Sequence, residues 1–146
     1  AYAVLAFVVL MVLMLSFCED ADAEWSIEEQ HDSNAGTTDF NSGLDRICGR
    51  YHYETGTSMY FCPLVAVRGE LKSDSFEFGL ADELWPRWEG EIRINRFDGE
   101  MDGGGSIRRM IGDGDFKLGL GLSYWINESP GSNSNVTFNL SLRYTF

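Results

Sequence analysis

Residues 135–146 read NVTFNLSLRYTF. Val136, Phe138, Leu140, Leu142, Tyr144 and Phe146 occupy alternate positions, with Thr137, Asn139, Ser141, Arg143 and Thr145 between them. Successive side chains of a strand point to opposite faces, so this is a β-strand with one apolar and one polar face. A soluble sandwich satisfies such a strand by turning its polar face to water. A membrane barrel does so by turning its apolar face to lipid.

Residues 115–126, DFKLGLGLSYWI, repeat the pattern: Phe116, Leu118, Leu120, Leu122 and Tyr124 alternate with Lys117, Gly119, Gly121 and Ser123. The final aromatic, preceded by an apolar residue at every second position, resembles the closing strand of bacterial outer-membrane barrels. Extending the period-two reading gives eight strands, near 24–33, 43–54, 58–69, 75–84, 88–97, 105–111, 115–126 and 135–146, and no helix after residue 23. Long polar connections are expected at 34–42, 98–104 (DGEMDGG) and 127–134 (NESPGSNS), with a shorter one at LKSDS. Tight ones are expected at ETGT, WPRW and GDGD. From a periplasmic start, the long connections face the exterior and the tight ones the periplasm, the asymmetry of outer-membrane barrels. The expected fold is therefore all-β, an eight-stranded antiparallel transmembrane barrel of the outer-membrane type over residues 24–146. Pro63 falls inside a strand and predicts a bulge.

The first 17 residues, AYAVLAFVVLMVLMLSF, are nearly all apolar. With the small residues Ala21 and Ala23 ahead of Glu24, they read as a signal peptide over 1–23, cleaved after Ala23. A retained membrane helix is the alternative. A lipoprotein signal at Cys18 is disfavoured by the bulk of Phe17. Removing residues 1–23 takes Glu19, Asp20 and Asp22 with it and moves the net charge from -12 to -9. Such acidity argues against nucleic acid as a partner, since phosphate backbones are bound through Lys and Arg. Export to the outer membrane of a Gram-negative cell places the chain in an oxidising compartment. There Cys48 and Cys62, opposite one another on inward faces if the intervening turn centres on Thr55, are expected to form a disulfide.

The chemistry concentrates in HDSNAGTTDFNSGLD, residues 31–45. Alternation puts Trp25, Ile27, His31 and Ser33 on the outward face of the first strand and Asp45, Ile47, Tyr51 and Tyr53 on that of the second. A loop at 34–42 sets His31 opposite Asp45, with their Cβ atoms about 4.5–5.5 Å apart. Ser33, two residues along, can turn its hydroxyl to the imidazole. Nucleophile, base and orienting acid then lie together near the outer leaflet. Glu29, two residues below His31 on the same face, is the alternative acid.

The stretch resembles the outer-membrane lipid A 3-O-deacylases, small eight-stranded barrels with H-x-S-N-[AG]-G followed by N-x-G-hydrophobic-E. His31, Ser33, Asn34, Ala35 and Gly36 match the first part, Asn41, Gly43 and Leu44 the second, and Asp45 stands in place of the Glu. The resemblance implies Ser33 as nucleophile, His31 as its base, Asp45 as orienter and Asn34 in the oxyanion hole. Backbone N–H groups of Ala35 and Gly36 are further candidate donors. It also implies lipopolysaccharide as the partner, removal of the 3-O-linked hydroxyacyl chain of lipid A as the reaction, and no metal or cofactor. Assembly as a homodimer is left open. The competing reading is a non-enzymatic small barrel that binds or shields the surface, with SNAG and NSG as ordinary turns.

Other clusters read as structural. His52 shares the inward face with Cys48, Arg50 and Glu54 and lacks metal-ligand spacing. Trp85, Trp88 and Tyr124 fit an interfacial aromatic girdle. Glu77, Glu83, Glu89 and Glu91, opposed by Arg50, Arg68, Arg93 and Arg143, are expected to plug a polar lumen too narrow for a pore. The DGGG run at 102–105 is expected to be loop.

Overall fold

A computed structural model describes residues 24–34, 43–132 and 134–146. The leader expected at 1–23, and Ala35, Gly36 and Asn41 of the motif, lie outside the described residues. The strands are β1 (Glu24–Asn34), β2 (Leu44–His52), β3 (Ser58–Val67), β4 (Glu70–Leu71), β5 (Phe76–Trp85), β6 (Trp88–Phe97), β7 (Glu100–Ile111), β8 (Phe116–Trp125) and β9 (Val136–Thr145). Eight of them form one closed antiparallel barrel: β1 pairs with β2, β2 with β3, β3 with β5, and the chain continues in order to β9, which returns to β1. β4 is a two-residue extra strand on the edge of β3. Closure leaves none of the eight barrel strands with a free edge, which is why the alternating segments settle into this form.

The 135–146 segment does what its alternation predicts. Thr137, Asn139, Ser141 and Arg143 are buried inside, whereas Val136, Phe138, Leu142 and Tyr144 are exposed outside. Around the rest of the wall Ile27, Ile47, Leu80, Ile92, Ile107 and Leu122 are similarly exposed. The lumen holds Glu28, Asp32, Glu77, Glu89 and Glu91 against Arg46, Arg50, Arg93, Arg108 and Arg143, five charges of each sign. Glu28 alone accepts from Arg50 at 2.8 Å, Arg108 at 3.0 Å and Arg143 at 2.6 Å. Charges this buried persist only when paired and hydrogen-bonded. Leu44, Val65, Phe97 and Trp125 form an apolar plug toward the end that carries the long loops.

Pro63 produces the expected bulge: Cys62 and Pro63 together oppose Cys48, shifting the β2–β3 register between Ile47 and Gly49. Cys48 and Cys62 are joined by a disulfide.

Three expectations need correction. The seventh strand begins at Glu100 rather than 105, so DGEMDGG is not a long loop. Asp98 and Gly99, both with positive φ, make a two-residue turn, and DGGG lies inside β7. Its glycines serve close approach rather than turning: a Cβ on Gly104 would collide with the Tyr124 carbonyl, and one on Gly105 would come within 2.8 Å of the Glu91 carbonyl oxygen. Of the three long connections expected at that end, those at 34–42 and 127–134 therefore remain, beside the shorter one between β3 and β5 that holds β4. Finally, Glu83 and Arg68 are exposed rather than luminal. Glu83 sits where the β5–β6 register shifts, and Arg68 has left β3 and entered the turn to β4.

Candidate active site

β1 and β2 pair with His31 directly opposite Asp45. The register follows from alternation, because slipping β1 by one residue against β2 would turn Ile27 inward and Glu28 outward while Ile47 stayed outside and Arg46 inside. On the outer wall, His31 Nδ1 donates to Asp45 Oδ1 at 2.7 Å, with the two side chains 11% and 36% exposed. An imidazole that donates from Nδ1 to a carboxylate keeps its lone pair on Nε2, the atom that can take a proton from a nucleophile. Leu140 of β9 flanks His31 on the other side, and Ala66 of β3 flanks Asp45.

Glu29 is also outward and exposed, between Ile47 and Leu142. Among the described residues it makes no hydrogen bond or ion pair with His31. The carboxylate on the imidazole is therefore that of Asp45.

Ser33 follows on the same face, partly buried and beside Phe138 of β9. No hydrogen bond joins it to His31 among the described residues. The two are two residues apart on one face, so rotation about χ1 of Ser33 governs whether its hydroxyl meets the ring. Asn34, the last residue of β1, donates from Nδ2 to the Ser132 carbonyl at 3.2 Å.

That contact belongs to a junction of three loops which the motif alone does not reveal. Gly131 rests on Gly43, where a Cβ would come within 2.7 Å of the Gly43 carbonyl oxygen. Arg68 donates its backbone N–H to Gly43 O at 2.9 Å and its Nε–H to Gly131 O at 3.2 Å. The two side-chain contacts of the junction span 63 and 98 residues of sequence, too far for local patterning to connect them.

At the opposite end, His52 Nε2 and Ser26 Oγ are hydrogen-bonded at 2.7 Å. Ser26 is fully buried, so this second Ser–His pair belongs to the lumen. Trp85 and Tyr124 are exposed on the wall, Trp88 lies beneath the Arg109 guanidinium, and Trp25, Tyr51 and Tyr53 stack edge to face at 4.9 and 4.8 Å. Comparison with known proteins returns no match: no family model fits the chain, and no curated protein or solved structure is detectably similar to it.

Proposed function

We propose that the chain is an outer-membrane esterase that removes the 3-O-linked hydroxyacyl chain from lipid A of lipopolysaccharide. The observation that carries this reading is the His31–Asp45 pair, built on the outer, apolar wall with a serine two residues along the same face. Ionisable side chains on a wall facing hydrocarbon are costly and mark function by default. An apolar exterior around a paired, charged lumen supports membrane insertion for the same reason, since a soluble protein distributes its side chains the other way.

In this mechanism, Ser33 Oγ attacks the ester carbonyl as its proton passes to His31 Nε2. Asp45 holds the tautomer and stabilises the imidazolium. Asn34 Nδ2 reaches the oxyanion by exchanging the Ser132 carbonyl for it, beside backbone donors. Collapse of the tetrahedral intermediate breaks the C–O bond, and His31 returns the proton to the departing sugar hydroxyl. Water, activated by His31, then cleaves the acyl-serine and releases a hydroxy fatty acid. Such catalytic contacts are often loose before substrate binds, which accommodates the present separation of Ser33 from His31. Neither a metal nor a cofactor is called for.

The rival reading, a non-enzymatic barrel that binds or shields the surface, draws on the engagement of Asn34 with Ser132. Incubating the folded protein with lipopolysaccharide and weighing the lipid A by mass spectrometry separates the two.

A further inference from the structure

We propose that the rim cavity at the β3–β4 turn is an anion subsite that holds a phosphate of the lipid headgroup, with Arg68 as its principal donor and Lys72 as the second cation. The identity of the lipid rests on the hydrolase reading above; the anion chemistry rests on the rim itself. The cavity has a volume of about 490 Å³ and is walled by Arg68, Lys72, Glu70, Asp98 and the 130–131 turn. One backbone hydrogen bond links Arg68 to Gly43, whose Cα substituent position lies 3.4 Å from Ser33 Cα. The cavity and the candidate nucleophile thus share one loop junction.

Six of the nine arginines, Arg46, Arg50, Arg87, Arg93, Arg108 and Arg143, are committed to carboxylates. Arg68 is held differently. Its Nε–H bonds the Gly131 carbonyl, which fixes the guanidinium plane, while both terminal nitrogens make no hydrogen bond or ion pair among the described residues. It also occupies a backbone conformation with φ of 51°, which L side chains other than Asn and Asp seldom adopt. The side chain is therefore anchored by one edge with the two-pronged edge uncommitted. That fork matches a phosphate better than a point charge does.

Glu70 and Asp98 oppose an anion, and the 3.6 Å pair of Glu70 with Lys72 Nζ offsets both of its members, which is why Arg68 is the principal donor and Lys72 the weaker one. If the barrel sits in an outer leaflet, as the reading above requires, the loop-bearing rim meets the phosphates carried on the lipid's sugar headgroup. Free phosphate offers the same chemistry, so the test must separate the two.

The full chain carrying Ser33→Ala, folded in detergent micelles, is titrated with bisphosphorylated lipid A and with the same lipid after chemical dephosphorylation. The phosphorylated lipid is expected to bind at least about tenfold more tightly, a difference of about 1.4 kcal/mol. Adding Arg68→Gln should remove most of that preference, Lys72→Gln part of it, and millimolar inorganic phosphate should leave it standing. Equal affinity for the two lipids, an equal loss on both with Arg68→Gln, or abolition of the preference by inorganic phosphate would overturn the headgroup subsite. Binding is read without turnover on Ser33→Ala and cleavage separately on the wild type: the preference in the first with no ester cleaved by the second overturns the hydrolase and keeps the subsite, and the converse overturns only the subsite.

Discussion

His31 and Asp45 face one another across paired strands with Nδ1 and Oδ1 2.7 Å apart, while Glu29, one outward step away on β1, leaves the imidazole alone. An acid in this position matters only once the ring becomes charged. Asp45→Asn should therefore leave folding and lipid binding intact and lower turnover steeply, by up to about 10⁴-fold as in other serine triads. Glu29→Gln should change the rate little, and Asp45→Glu should retain activity. Single-turnover acyl release from the three variants checks this; full activity in Asp45→Asn with a dead Glu29→Gln would assign the role to the other carboxylate.

Arg108 bridges Glu28, Glu89 and Glu91 at 2.7 to 3.0 Å. Replacing it with Met leaves three buried carboxylates short of a counter-charge, and breaking a buried pair from one side costs about 3–5 kcal/mol. The variant should unfold at markedly lower denaturant than wild type. An unchanged midpoint would show that the luminal network is not what holds the barrel.

Gly79 lies against the Tyr60 ring, and a Cβ there would collide with its hydroxyl-bearing edge. Gly79→Ala must displace a buried aromatic that bonds Glu77 at 3.2 Å, and overpacking of this kind costs about 1–3 kcal/mol. Gly114, with nothing within 4 Å of a Cβ, is the control whose Ala variant should behave as wild type. Thermal loss of heat-modifiable migration in gels ranks the three proteins.

The β9–β1 seam closes the barrel, and at its end Phe146 donates its N–H to Trp25 O at 2.9 Å while its ring meets Tyr144 at 5.5 Å. Deleting Phe146 should impair insertion into the outer membrane. Wild-type amounts of heat-modifiable barrel in that membrane after the deletion would count against this role for the closing strand.

The barrel was legible wherever side chains alternate in polarity, as in 115–126 and 135–146, because period two is a direct imprint of a wall with two different faces. It was illegible in β7, where Gly103, Gly104 and Gly105 carry no side chain to alternate and imitate a loop. Arg68 misled for a related reason: counting by twos continued past the last paired residue of β3 into a turn. Within the candidate site, the His31–Asp45 pairing followed from hairpin register, a local property. The clasp of Asn34 by Ser132 and the seating of Gly131 on Gly43 did not, since only barrel closure brings β9 and its preceding loop beside β1.

The most direct test of the account is the mass of lipid A after incubation with the folded wild-type protein and with Ser33→Ala. Wild type should yield lipid A lighter by one ester-linked hydroxyacyl chain, with the free hydroxy fatty acid recovered in equal amount, and Ser33→Ala should leave it intact while remaining a folded barrel. Unchanged lipid A with wild type, or equal acyl loss with both proteins, would contradict it.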